Sequence, residues 1–205
     1  MRVLIATILS CVVSTPAFAV FYISNFQTAD LHPSMSTYEV SIEPMIYLGG
    51  ADTKGFGAAG RVLLPLAEDF SGNISAGTGV VPFQFDSHIQ YSIYPDYENQ
   101  ISFSLGGGLS YLRQEQLNHV IVYTYPTVSK TFHWEGFILT PYALAPIGMS
   151  FYQDAIAIPL KVSVGAKATN PELKTVFFYL ETSVGILKSP HMVSFGMAFQ
   201  FESGG

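Results

Sequence analysis

The residues that could carry out chemistry in this chain are few and scattered. The 205 positions hold five histidines, one cysteine and only 12% charged residues. No two histidines have metal-ligand spacing near a carboxylate cluster, and no glycine-rich phosphate loop is present. His88 and Ser92 lie on one face of a strand-like segment, where acid–base chemistry could be considered. We interpret them instead as hydrogen-bonded polar residues of an interior.

Three other histidines lie close to groups that could act with them. His191 is three residues before Ser194, while His119 and His133 flank a long segment across which they could approach each other as metal ligands. His133 with its neighbours Trp134 and Glu135 better fits a strand end at a membrane interface. The sequence therefore predicts no catalytic, cofactor-binding or metal-binding residue, and we expect a protein that is not an enzyme.

The N-terminus has the features of a secretory signal. Met1 and Arg2 give a short positive region, an apolar stretch follows to Val13, and Ala17-Phe18-Ala19 forms a small-x-small cleavage site. We predict a signal peptide over residues 1–19 and one domain over residues 20–205. The sole cysteine, Cys11, lies inside the signal, so the mature chain has no disulfide. Lipidation at Cys11 is the alternative, on a poorer motif.

The composition is unusual for an exported protein. It is 49% hydrophobic, yet polar residues or glycines interrupt every apolar run of the mature part. This pattern is typical of a membrane-spanning barrel, in which only alternate residues face lipid. Removing Arg2 with the signal leaves eight basic against fifteen acidic residues, a net charge of 8 − 15 = −7. That balance argues against nucleic acid as a partner.

Apolar and polar residues alternate along most of the mature chain, as on strands with one apolar and one polar face. Eight segments have this pattern, and residues 137–151 make a ninth. The eight segments are 38–48, 56–66, 70–80, 83–93, 101–111, 156–166, 176–186 and 193–201. We predict an all-β fold, a closed antiparallel up-and-down transmembrane β-barrel of 8 to 10 strands. Because single-chain bacterial barrels have an even number of strands, residues 21–26 are a candidate tenth.

The polar face carries isolated charges that need partners inside a narrow barrel. Folding the first predicted hairpin about residues 50–54 places Glu43 opposite Arg61. Folding the last but one about residues 170–172 places Lys161 opposite Glu181. We therefore predict two charge pairs in the lumen, joined there by Glu39, His88, Gln90 and Gln200. Strand glycines, mainly on the same face, would leave room for larger inward side chains.

Two further features bear on the barrel prediction. Aromatic residues near strand ends suit interfacial girdles, and we place Tyr123, Tyr125 and Trp134 among them. Prolines within the predicted strands do not fit a closed ladder, because each removes a donor. Pro44, Pro141 and Pro146 have no explanation from the sequence.

The last strand carries the most specific motif. Ser194-x-Gly196-x-x-Phe199-x-Phe201 resembles the C-terminal signal that small outer-membrane β-barrel proteins present to the barrel-assembly machinery. In pattern, nearly the whole mature chain resembles that superfamily, which includes OmpA-type transmembrane domains and surface antigens. The resemblance implies a bacterial outer-membrane location, with outer-membrane lipid and the assembly machinery as partners. The tail from Glu202 to Gly205 departs from the family, which usually ends on the aromatic.

The resemblance leaves several functions open. We expect a structural or surface-binding (adhesin- or antigen-like) protein, with an extracellular ligand at a long loop between Gln114 and His133. In that loop, residues 120–125 and 129–134 are expected to form a hairpin extension. The alternatives are a small pore for ions or apolar solutes and a lipid-modifying outer-membrane enzyme with His, Ser and acidic groups near the rim. A soluble periplasmic β-sandwich is the alternative fold.

Overall fold

The computed structural model describes residues 28–29, 37–50, 53–95, 100–114, 117–152, 155–173 and 175–202. Among these residues, no helix is long and apolar enough to cross a membrane. The predicted signal peptide and the candidate strand at 21–26 lie outside the described residues.

Strands make up almost all of the described chain, because branched and aromatic residues alternate with small polar ones over long stretches. Thirteen strand segments are present: β1 (Thr37–Gly49), β2 (Lys54–Ala67), β3 (Phe70–Gly79), β4 (Phe83–Tyr94), β5 (Ser102–Gln114), β6 (Leu117–Ser129), β7 (Phe132–Trp134), β8 (Phe137–Leu144), β9 (Ile147–Tyr152), β10 (Ala155–Ala157), β11 (Leu160–Thr169), β12 (Val176–Leu187) and β13 (His191–Glu202).

The segments assemble into ten barrel strands, because three of these strands are each made of two segments. β8 pairs with both β6 and β7, so those two form one strand. β8 and β9 form the next one, and β10 with β11 the one after, since β11 pairs with both β8 and β9. All pairs are antiparallel, and β1 pairs with both β2 and β13, which closes the barrel. The predicted fold and strand number are confirmed.

The tenth strand lies where the sequence predicted a long loop. β6 and β7 cover 117–129 and 132–134, so residues 120–125 and 129–134 belong to one barrel strand and do not form a hairpin with each other. The loop prediction between Gln114 and His133 was therefore wrong. We call the end of the barrel where β1 starts and β13 ends the terminal end, and the other the distal end. The five distal connections are only two to four residues long.

The prolines sit where the ladder is already interrupted. Pro146 separates β8 from β9, and Pro159 separates β10 from β11. The β1–β13 ladder passes from Ile42 to Met45 without pairing Pro44. Pro141 accepts a hydrogen bond from Lys130 N (3.2 Å), which lies in the gap between β6 and β7. Each missing N–H thus falls at an irregular position, as a closed sheet requires.

The two faces of the barrel are chemically opposite. Outward side chains are apolar, such as Ile42 at 62% exposed and Val164 at 55%, whereas inward Glu43 and Lys161 are fully buried. The outward surface therefore suits lipid and the lumen holds the polar groups. Stacked outward aromatics lie at the terminal end, including Trp134 between Phe132 and Phe137. Tyr123 and Tyr125 correct the girdle prediction, because both point into the lumen and are buried.

Inward glycines make room for the largest lumen side chains. A Cβ at Gly106 would collide with the Tyr125 ring, and one at Gly165 would collide with the Tyr142 ring. Each tyrosine is paired with its glycine across the ladder, so its ring lies over the neighbouring strand, which has no side chain at that point. Glycine at these positions is thus a packing requirement of a narrow barrel.

We predict that Gly106→Ala lowers the free energy of unfolding by about 1–3 kcal/mol, because Tyr125 must leave its position. The matched control is Gly60→Ala on the outward face, where an added Cβ meets nothing closer than 3.9 Å. Urea unfolding in detergent micelles, followed by fluorescence of the single tryptophan Trp134, measures both variants. Equal stability of the two variants would contradict this packing account.

Candidate functional site: the barrel lumen

The centre of the lumen holds an ion pair between neighbouring strands. Arg61 Nη2 on β2 donates to Glu43 Oε2 on β1 at 2.9 Å, and Ser41 Oγ donates to Glu43 Oε1 at 2.7 Å. The two charged side chains are 5% and 0% exposed. The ladder sets Arg61 opposite Ser41 and Glu43 opposite Ala59, two residues away from the predicted register. Arg61 therefore reaches its carboxylate diagonally along the wall.

Lys161 on β11 and Glu181 on β12 lie on the same inner face. The predicted register was wrong, because Lys161 is opposite Gly185 and Glu181 is opposite Gly165. Both side chains are fully buried. Glu181 accepts hydrogen bonds from Tyr142 Oη at 3.0 Å and Ser183 Oγ at 3.1 Å. Its carboxylate acts electrostatically on both Lys161 and Arg61, so the predicted charges share one layer across the barrel.

A third buried carboxylate completes this layer, which we call the charge layer (Glu43, Arg61, Asp86, Lys161 and Glu181). Asp86 on β4 is 2.9 Å from His88 Nδ1, and Tyr123 Oη on β6 lies 2.8 Å from each Asp86 oxygen. Asp86 also acts electrostatically on Arg61 and Lys161. His88 is thus a hydrogen-bonded interior residue in this structure, as its sequence position suggested.

Asp86 and Tyr123 were missed from the sequence. Asp86 lies two residues from His88 on the same polar face of a predicted strand, so the same alternation identifies it as a lumen residue. The lumen position of Tyr123 is not predicted, because the sequence analysis places its segment in a loop and its ring in an interfacial girdle.

A second ionic cluster lies nearer the terminal end. Lys167 Nζ on β11 is 3.0 Å from Glu39 Oε2 on β1, and Tyr179 Oη on β12 donates to the other Glu39 oxygen. The same ammonium lies 4.1 Å from the centre of the Phe177 ring. These contacts cross between β11, β12 and β1, and Lys167 remains 18% exposed. The cluster therefore ties together the strands next to the point of closure.

The distal part of the lumen is filled by apolar side chains. Met45, Tyr47 and Met192 from β1 and β13 pack with side chains of the opposite wall, and Tyr47 lies directly opposite Met192. The apolar set consists of Met45, Tyr47, Ala59, Val81, Leu112, Ile121, Tyr123, Tyr125 and Met192. We call its distal members (Met45, Tyr47, Val81, Leu112 and Met192) the apolar layer, because they lie between the charge layer and the distal end. Tyr123 instead reaches Asp86 in the charge layer, and Tyr125 lies beside Gly106, in register with Gln90.

The candidate catalytic and metal residues are not brought together. His191 is exposed on β13, whereas Ser194 is buried and faces the lumen. His119 and His133 lie towards opposite ends of one barrel strand, so they cannot bind the same metal ion. The His119 ring is buried and stacks on Tyr152 at 5.0 Å. Within the described part of the chain, no three His, Cys, Asp or Glu residues form a group that could hold a metal ion.

The C-terminal motif divides between the two faces of β13. Ser194 and Gly196 face the lumen, while Phe199 and Phe201 lie on the outward face. Phe201 stacks on Tyr38 of β1 with ring centroids 5.3 Å apart. This contact lies at the terminal end, across the seam where the first and last strands meet.

Several solved structures to which the chain is similar are outer-membrane barrels. The COG4313 outer membrane channel from Pseudomonas putida F1 matches with a TM-score of 0.52 at 9% identity, covering 88% of this chain and 100% of that one. The KdgM porin matches with a TM-score of 0.44 at 11% identity, covering 80% and 99%. The N-terminal β-barrel domain of Pseudomonas aeruginosa OprF gives 0.39 at 14% identity, covering 82% and 98%. No family model and no curated protein matches the chain. The fold is that of an outer-membrane transmembrane β-barrel.

We predict that Arg61→Met lowers the free energy of unfolding by about 3–5 kcal/mol, because it leaves the Glu43 carboxylate buried without its cation. Adding Glu43→Gln to this variant should restore most of the loss. The control is Arg113→Met, which removes an exposed arginine from the distal end of β5. The measurement is urea unfolding in micelles. Equal decreases in the free energy of unfolding for Arg61→Met and Arg113→Met would contradict the stabilising role of the buried ion pair.

Proposed function

We propose that the chain is a non-enzymatic protein of the bacterial outer membrane, exported through its N-terminal signal. The outward face supports this location, because large apolar side chains such as Ile42, Phe56 and Ile186 are more than half exposed. A contiguous apolar surface of this size would aggregate in water and is stable in lipid. Outer-membrane lipid is thus the first partner we propose.

We propose further that the barrel has a structural role and a lumen closed to solutes. The observation that carries this proposal is the burial of the charge layer, whose residues are at most 5% exposed. In an open channel these groups would line water, whereas here they contact each other and the tyrosines between them. The apolar layer closes the distal side by the same kind of packing.

Surface binding is not retained as the role of the protein. It depended on a long extracellular loop between Gln114 and His133, and those residues mostly form a barrel strand. His191 and Ser194 also do not form the rim group that a lipid-modifying activity would need, because they lie on opposite faces of β13. A structural barrel needs neither feature.

A small pore is the second candidate, on a specific observation. Asn73 Oδ1, Ser75 Oγ and Gln84 Oε1 are buried on neighbouring strands without a hydrogen-bond partner among the described residues. Such groups favour lumen water, and water could support conduction if side chains moved. The similar Pseudomonas putida structure is also described as an outer membrane channel.

Planar-bilayer recording separates these two candidates. We predict that the refolded protein gives no steady single-channel steps, because the charge layer and the apolar layer both fill the lumen. Unboiled and boiled gel samples, which run differently for a folded barrel, show that the protein is folded, and flotation with liposomes shows that it is inserted. Steady steps from protein that passes both checks would favour the pore and contradict the closed barrel.

We also propose the barrel-assembly machinery as a partner, through Ser194, Gly196, Phe199 and Phe201. Phe201→Ser should lower the amount of folded protein in the outer membrane severalfold and leave refolding from urea into micelles nearly unchanged. Phe195→Ser is the control, since Phe195 is also an exposed outward residue of β13 but occupies a position that the motif leaves unspecified. Equal effects of the two variants in cells, or a refolding defect in Phe201→Ser alone, would contradict recognition of the motif.

A further inference from the structure

One wall of the lumen at the terminal end is lined only by short hydroxyl side chains and a glutamine. We call this the hydroxyl wall (Gln90, Ser92, Ser102, Ser104, Thr127 and Ser129), and it spans β4, β5 and β6. The residues are neighbours on the inner face, because Ser92 pairs with Ser104, Ser104 with Thr127, and Ser102 with Ser129. Compared with the large side chains of the charge layer, this wall leaves space inside the barrel.

That space is occupied by the backbone of Thr28 and Ala29. Gln90 Nε2 donates to Thr28 O at 2.8 Å and to Ser104 Oγ at 2.6 Å. Ala29 N donates to Ser129 Oγ at 3.0 Å. Thr28 is 9% exposed and Ala29 is fully buried, although neither belongs to a barrel strand.

The burial of the hydroxyl wall also indicates that the chain covers it. Ser102 begins β5 and Ser129 ends β6, so both lie at the mouth of the lumen, yet they are 0% and 4% exposed. Residues at the same end of the opposite wall are more open, such as Phe177, Gln200 and Lys167. One side of the mouth is therefore covered and the other is not.

We propose that the hydroxyl wall is a binding site for polypeptide main chain, and that its occupant is the chain's own segment at Thr28–Ala29. The bonds seen go to a backbone carbonyl and a backbone N–H, so the wall recognises main chain and does not require particular side chains. Gln90 Oε1, Ser92 Oγ and Thr127 Oγ1 are buried without a partner among the described residues, which leaves capacity for further backbone groups. The segment acts as an internal strap on the terminal side of the charge layer. This inference deepens the proposed closed barrel and rests on it.

Cysteine cross-linking tests the strap directly, because the only native cysteine, Cys11, lies in the predicted signal. Ala29→Cys with Ser129→Cys should form a disulfide in the folded protein on mild oxidation. After boiling without reductant, the closed loop should make the chain run faster on a gel. The control pairs Ala29→Cys with Ser110→Cys, since Ser110 is also buried in the lumen. It lies on β5 eight residues from Ser102, the ladder partner of Ser129, which is roughly 26 Å along the strand. No cross-link in protein folded by the unboiled gel test, or equal cross-linking in both pairs, would overturn the proposal.

A second measurement tests the bond from Gln90. Gln90→Leu should raise the rate at which a maleimide labels Ala29→Cys by about fivefold, the effect of losing one ordinary hydrogen bond. Gln84→Leu is the control, because Gln84 is another buried lumen glutamine of β4 nearer the distal end. An unchanged rate, or the same rise in both variants, would contradict the role of Gln90.

The strap and the closed barrel can fail separately. Absence of the cross-link in a barrel that does not conduct would remove the strap alone. Channel steps from a barrel in which the cross-link forms would remove the closed lumen and leave the strap as a bound segment.

Discussion

Neutralisation of charge inside a narrow lumen is the constraint on which the rest of this structure depends. A barrel in lipid must put its polar face inside, where buried ions cannot exchange partners with bulk water. Arg61 meets this constraint, because it binds Glu43 directly and is stabilised by the fields of Glu181 and Asp86. Three carboxylates around two cations fill the cross-section with side chains that must stay where they are. The same contacts that satisfy the charges therefore also support the closed lumen that we propose.

The constraint extends to residues that carry no charge. Tyr123 and Tyr142 each donate a hydrogen bond to a carboxylate of the charge layer, and inward tyrosines of this size need space over the neighbouring strand. Gly165 gives this space to Tyr142, and Gly106 gives it to Tyr125 beside Tyr123. The buried carboxylates, the tyrosines that bind them and the glycines under the tyrosine rings therefore depend on one another for their packing. A change in any of them is transmitted to the ions.

Most of the strands could be predicted from the sequence. Where the inner face of the barrel is polar, apolar outward residues and polar inward residues alternate along the strand. The strand formed by β6 and β7 broke the rule, since its inward Ile121, Tyr123 and Tyr125 are as apolar as its outward face and no alternation is visible. The same alternation placed the charged residues on the inner face. The predicted strand registers were wrong, by two residues for β1 and β2 and by four residues for β11 and β12. The register of a hairpin is fixed by where its turn lies and how long it is, and the turn-forming residues in the sequence did not mark the positions about which these strands pair. The strap could not be predicted, because recognition of main chain leaves no motif in the bound segment.

The lumen is organised by depth, and this order bears on where a function can lie. From the distal end inwards it presents apolar packing, then the charge layer, then hydroxyl groups that hold main chain. The distal connections are too short to build a binding surface of their own, so recognition at that end must use the rim or the lipid-facing wall. The terminal end is different, because it has a polar mouth with one covered and one open side. Any exchange between the lumen and its surroundings would begin at that open side, next to Lys167 and Gln200, which are partly exposed.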